Sequence, residues 1–429
     1  MKYYSTNRES SSASFKEAIF KGLPDDNGLY MPERIPILPP SFFNELKKLS
    51  LSEIGFQVLR PFVSGEIEDD KLRNILEETL NFEIPLVPVT DRIYSLELFH
   101  GPTFAFKDVG ARFLARCLSH FSNQTTRKLT VLVATSGDTG SAVAQGFYDV
   151  PNIDVVILYP SGKISPFQEQ QMTTLGKNIT ALEVDGTFDD CQKMVKAAFL
   201  DEELNSKITL TSANSINIAR LLPQSIYYFY GIAQLPKKEW DKVVVSVPSG
   251  NYGNLSAGLL AQRMNLPIKH FLACSNANDT VPKYLQHGEY KAQPSVQTIS
   301  NAMDVGDPSN FVRMLELFAG SHSEMMKSIS GYSFSDEETR SAIEHLYQET
   351  EYVLDPHGAI GFLGLKEYIH QHGGTGIFLE TAHPCKFRKT VENEIHTELP
   401  SVLSFDELPK KSLLFSSEFD DLKAFLLKK

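Results

Sequence analysis

From about residue 93 onward, short apolar runs recur with amphipathic stretches of roughly 10 to 15 residues between them. The runs lie at 129–134, 155–159, 179–184, 243–247, 268–273 and 377–379, and β-branched residues recur in them. Runs this short and this apolar predict strands buried on both faces, as in a parallel sheet covered by helices. The stretches 141–148 and 216–233 read as crossover helices, with Pro223 set to kink or split the second. Strand–helix alternation of this kind predicts an α/β protein with open parallel sheets. The first 90 residues differ. Helical patterns at 15–20 and 75–80 are broken by Gly and Pro, and Pro36, Pro39 and Pro40 mark a non-helical crossing. The pattern predicts a mostly helical accessory domain over 1–90 and two α/β domains over 91–235 and 236–429. Residues 276–330 are less regular and are expected to wrap around a sheet or cover a site.

The length of 429 residues suits two or three domains at about 150 residues each. A chain of that size buries about three quarters of its unfolded surface and needs no disulfide or metal staple. With 41 Lys+Arg against 53 Asp+Glu the formal charge is −12, which argues against binding nucleic acid or anionic lipid through bulk charge. It leaves room for a local pocket for one small phosphate. Cys117, Cys191, Cys274 and Cys385 are scattered and form no C-x-x-C pair, so a cysteine zinc site is disfavoured and a reducing compartment is expected. No His/Glu spacing suggests a metal site. The N-terminus is polar, and no apolar run approaches the ~18 residues of a membrane span. A cytoplasmic protein is the expectation.

Ligands of open parallel sheets bind where strands end and loops lead into helices. Three loops there carry suggestive chemistry. Thr135-Ser136-Gly137-Asp138-Thr139-Gly140 follows a strand and can offer backbone N–H groups to a carboxylate or phosphate, although a capped strand–helix turn uses the same residues. Pro248-Ser249-Gly250-Asn251-Tyr252-Gly253-Asn254 is a tight turn that suits a single terminal phosphate. It is neither G-x-G-x-x-G nor a P-loop, so a nucleoside triphosphate is disfavoured. In the stretch 97–108, Lys107 follows apolar residues and opens a helix. Desolvation and the helix dipole there would lower its pKa, as a Schiff-base amine requires. A solvated lysine beside Asp108 is the plainer alternative. An imine-forming lysine, a cup for one phosphate and an anion loop together describe a pyridoxal phosphate site for an amino acid.

At these residues the chain closely resembles the threonine synthase family, pyridoxal phosphate enzymes of the tryptophan-synthase-β-like fold (fold type II). The resemblance covers essentially the whole length. It runs from Ser14-Phe15 and Gly28-Leu29-Tyr30-Met31-Pro32, similar to the family's own N-terminal domain, through 96–108, 134–140, 212–217 and 249–254 to Glu380-Thr381-Ala382-His383-Pro384-Cys385-Lys386-Phe387. It implies the conversion of O-phospho-L-homoserine and water to L-threonine and phosphate, with pyridoxal 5'-phosphate as cofactor. Lys107 would hold the cofactor and move protons. Gly250, Asn251, Tyr252, Gly253 and Asn254 would cradle its phosphate, and Thr381 would bond the pyridine nitrogen. Ser136, Gly137 and Thr139 would meet the substrate carboxylate. Asp138 stands where many relatives of the fold have Asn. It would be protonated or turned away, or Asn217 would contact the phenolic oxygen instead. Lys163, Lys177, Arg220 and Arg112 are candidate cations for the substrate phosphate, and His383 is a candidate wall residue. A small-molecule substrate, no nucleic-acid or membrane partner, and a monomer or homodimer complete the expectation. The alternatives are a threonine or serine dehydratase, a phospho-lyase that stops at 2-oxobutanoate, and a non-catalytic ligand-binding relative.

Overall fold

The computed structural model describes residues 1–122, 128–400 and 408–429; residues 401–407 of the segment expected as a third domain lie outside them. Two compact units are assembled from interleaved stretches of chain. The first holds Met1, Met31–Phe106 and 221–400, the second Lys2–Tyr30, Lys107–Arg220 and 408–429.

In the first unit a six-stranded sheet runs in the order Ile329–Ser333, His270–Ser275, Val243–Pro248, Thr375–Glu380, Ile93–Glu97 and Leu86–Thr90. All neighbours are parallel except the last pair. The antiparallel strand sits at the sheet edge, where Pro88 and a register shift between Pro88 and Thr90 are tolerated. The helix Pro356–His372 covers the central strands. Asp355 starts it, accepting from the amides of His357 and Gly358, and Pro356 fills the first position, where a missing N–H costs nothing. Ile360 and Leu365 of this helix and Phe378 of the central strand are fully buried, each stabilising the unit by roughly 2 kcal/mol through apolar burial. The 216–233 stretch is split as expected: Pro223 lies in a single tight turn, and the helix Ser225–Gln234 starts beyond it.

The second unit carries a five-stranded, wholly parallel sheet in the order Ser412–Phe415, Ile179–Val184, Ile153–Pro160, Leu129–Ala134 and Thr209–Ser212. Its central strand Ile153–Pro160 is buried at every position, so beyond Asp154 the sequence shows an unbroken apolar run over 155–159 instead of alternation.

Chain order across each sheet has a consequence for ligands. Leu129–Ala134, Ile153–Pro160 and Ile179–Val184 step one way, and Thr209–Ser212 then returns to the other side of the first. Val243–Pro248, His270–Ser275 and Ile329–Ser333 do the same, with Thr375–Glu380 returning beside Val243–Pro248. Each sheet thus has a switch point, where the loops part and leave a crevice at the strands' carboxyl ends. The loops at those two points are 135–140 and 249–254.

The N-terminal stretch is mostly helical, with Phe15–Lys21, Pro40–Glu45, Leu51–Val63 and Asp69–Thr79. Residues 276–330 form short helices separated by irregular chain, as their uneven pattern predicted.

Candidate active site

In the first unit, the turn after Val243–Pro248 leads into the helix Gly253–Arg263 with no side-chain cap. Tyr252 holds the left-handed conformation there, at φ 59°, while its hydroxyl meets Ser275 Oγ at 2.5 Å. Tyr252, not a glycine, carries the positive φ of this turn. Gly250 is the glycine that crowding demands, because a Cβ would lie 2.7 Å from Met303 Cα and 2.8 Å from the Ala302 carbonyl. Asn254 holds the turn together. Its Oδ1 accepts from Ser249 Oγ at 2.7 Å and its Nδ2 donates to the Pro248 carbonyl at 2.8 Å. Asn251 Oδ1 accepts from the Ser309 amide at 2.6 Å. Among the described residues, the amides of Gly250, Tyr252, Gly253 and Asn254 donate to no protein acceptor. Unpartnered amides at an uncapped helix N-terminus fit a phosphate.

Thr381 follows the adjacent strand and is buried. Its carbonyl accepts from the Phe106 amide at 2.9 Å, while its hydroxyl makes no hydrogen bond among the described residues. The turn after it is capped by His383, whose Nδ1 accepts from the Cys385 amide. The Thr381 hydroxyl is thus not spent on capping and suits a ring nitrogen. Four contacts stitch this strand end to the stretch before Lys107: Leu98 N–H to Glu380 O, Phe106 N–H to Thr381 O, His383 N–H to Phe104 O, and buried Lys386 Nζ to Thr103 O. His383 also packs edge-on against Phe99 and Phe104, and burial lowers its pKa. Behind Thr381, Glu380 Oε1 accepts from the Asp355 amide at 2.7 Å. Burial, then the charge of Asp355, pushes Glu380 well above the carboxylate range, so its carboxyl stays neutral.

In the second unit, Lys107 opens the helix Lys107–Ser122 with its Nζ 3.2 Å from Asp138 Oδ2. Asp138 is buried and held from its other oxygen by Gln168 Nε2 at 2.9 Å. The contact observed for Asp138, an ion pair with the lysine, is none of the alternatives expected for it. Asn217, the other candidate, is committed to the scaffold: Nδ2 donates to the carbonyls of Ile19 and Ser212, and Oδ1 accepts from the Ala219 amide. Gly137 adopts φ 139°, and a Cβ there would lie 2.5 Å from the Gln168 side chain. Thr135 Oγ1 accepts from the amides of Gly137 and Gly140. The helix Asp138–Phe147 has no side-chain cap, and the amides of exposed Ser136 and half-buried Thr139 donate to no acceptor among the described residues. Lys177 lies before its strand, at the wrong end of the sheet, and pairs with Asp149. Arg220 is buried and bonds the Ala213 carbonyl. Gln168 was missed in the sequence; the Ser165-Pro166 helix start before it was the only local signal.

No helix among the described residues is long and apolar enough to cross a membrane. The profile of the "pyridoxal-phosphate dependent enzyme" family matches residues 85–376, and that of the "threonine synthase N terminus" matches 2–80. The threonine synthase of Haemophilus influenzae is 47% identical, over all of both chains. The crystal structure of threonine synthase from Escherichia coli superposes with a TM-score of 0.93 at 41% identity, over all of both chains. That of pyridoxal-phosphate-bound threonine synthase from Brucella melitensis does so with 0.93 at 33%, over 100% of this chain and 99% of the other. The chain belongs to the threonine synthase family of pyridoxal-phosphate-dependent lyases.

Proposed function

We propose that this chain converts O-phospho-L-homoserine and water to L-threonine and phosphate, using pyridoxal 5'-phosphate held by Lys107, the turn 250–254 and Thr381. The observation that supports this most is the set of unpartnered amides on the uncapped 250–254 turn at a sheet switch point, with the unspent Thr381 hydroxyl on the neighbouring strand end. Bound there, the cofactor supplies an electron sink for the carbon next to the amino group.

The chain's own residues do the rest. The Lys107 amine anchors the cofactor and, once released by substrate, takes the proton from Cα and then moves protons at Cβ. Asp138, fixed by Gln168, holds that amine in one orientation. The backbone amides of Gly250, Tyr252, Gly253 and Asn254 bind the cofactor phosphate, and Asn251 and Asn254 keep the turn in shape. Thr381 donates a neutral hydrogen bond to the pyridine nitrogen, with the uncharged Glu380 beside it in the chain. Ser136 and Thr139 receive the substrate carboxylate at the start of the helix Asp138–Phe147, while Gly137, expected to join them, has its amide held by Thr135 Oγ1 and shapes the loop instead. The test is an assay of O-phospho-L-homoserine turnover that measures phosphate, threonine and 2-oxobutanoate together. Equal phosphate and threonine is the expected result. Phosphate with 2-oxobutanoate and no threonine identifies a lyase that does not add water, and no turnover removes the reading.

A further inference from the structure

A phosphate monoester carries a charge of about −1.5 to −2 at neutral pH. A helix N-terminus offers the equivalent of only about half a positive charge. The turn 249–254 contains no Lys or Arg to make up the difference. A cation is, however, built into the chain that braces this turn. The Ala302 carbonyl and Met303 backbone pack against Gly250. The Ser309 amide holds Asn251 Oδ1 at 2.6 Å. The helix Phe311–Leu317 packs on the helix Gly253–Arg263 that leaves the turn. On it, Arg313 is fully buried and donates from Nη1 to Asn310 Oδ1 at 2.6 Å, and Asn310 is fully buried as well. Burial pulls Arg313 down to about 9, which is still above neutral, so the side chain enters the interior charged. The bond to Asn310 satisfies a donor without neutralising that charge. Burying a guanidinium is costly unless an anion offsets it, and in a low-dielectric interior its field reaches a neighbouring anion with little screening.

We propose that Arg313, oriented by Asn310, is a positioning residue that supplies the missing positive charge behind the 249–254 turn for the cofactor's phosphate. This rests on the reading of that turn as the phosphate site.

Apoenzyme titrated with pyridoxal phosphate and, separately, with pyridoxal tests it, because the two ligands differ only in the phosphate. Asn310→Asp is nearly isosteric and sets a carboxylate against Arg313, neutralising it. It should raise the dissociation constant for pyridoxal phosphate by about tenfold or more while leaving that for pyridoxal within about twofold. Arg313→Met should show the same selective loss, and Arg313→Lys should fall between it and the parent. Equal losses for both ligands, or an unchanged affinity for pyridoxal phosphate in Asn310→Asp, would overturn the proposal. Gly253→Val, run in parallel, separates the two readings. If it weakens pyridoxal phosphate while Asn310→Asp does not, the turn stands and only the role of Arg313 fails. If Gly253→Val has no effect, the turn reading fails and the role of Arg313 with it.

Discussion

Lys107 shows what a single position in a sequence reveals and what it hides. Its place after an apolar stretch, at the start of a helix, marked it as a candidate amine. The carboxylate 3.2 Å away belongs to Asp138, thirty-one positions along the chain, and no local pattern pairs the two. Gln168, which fixes Asp138, is a polar residue on a helix and reads like a solvated one until its burial is known. Lys107→Ala should reduce turnover by about a thousandfold or more, since it removes both anchor and proton carrier. Borohydride reduction followed by peptide mapping should place the label on Lys107; a label on another lysine contradicts the assignment. Thr381 makes a sharper claim. A neutral hydroxyl beside a neutral Glu380 cannot stabilise a protonated pyridine, whereas a carboxylate would. Thr381→Asp should therefore shift the cofactor's absorbance towards the protonated form and lower threonine formation by on the order of tenfold. An unchanged spectrum and product ratio would mean the pyridine nitrogen faces another residue.

At the scale of elements, the runs at 129–134 and 179–184 are strands with the boundaries their pattern predicted, and 243–247 needs only Pro248 added. The strands Leu86–Thr90, Thr209–Ser212 and Ile329–Ser333 escaped notice. They are short and mix polar with apolar residues, and the sheet rather than local preference makes them extended. Gly137 tests how an element end shapes the site. An alanine there meets both an unfavourable φ and the Gln168 side chain, so Gly137→Ala should cost roughly 1–3 kcal/mol in urea unfolding. It should also lower kcat/KM through displaced Gln168 and Asp138; kinetics and stability equal to the parent contradict this. His270, on a strand of the first unit, reports the sheet's response to acid. Burial lowers its pKa from 6.5 to about 4, with Nε2 2.8 Å from Ser330 Oγ. The unfolded imidazole takes up a proton near 6.5 and the folded one only near 4, so its contribution is complete above 6.5 and is lost as pH falls to 4. The loss amounts to at most roughly 3 kcal/mol. Urea midpoints for His270→Gln should fall less between pH 6.5 and 4 than those of the parent; parallel curves would show that His270 is not responsible.

For the whole molecule, the alternation of strands and helices made an α/β protein legible, and the motifs made its family legible. Strand order was not legible, because it depends on contacts between residues far apart in the chain. Only the sheets show that the two loops chosen for their composition, 135–140 and 249–254, both lie at switch points. The bracing of the second loop by 302–309 likewise joins stretches that no sequence pattern connects. The central claim is that the phosphate leaves with its bridging oxygen and that water then adds to carbon at Cβ. Turnover of O-phospho-L-homoserine in water enriched in heavy oxygen tests this directly, with mass spectrometry of both products. The account predicts one heavy oxygen in the threonine hydroxyl and none in the phosphate. Heavy oxygen in the phosphate, with homoserine as the other product, would mean cleavage at phosphorus and would contradict it.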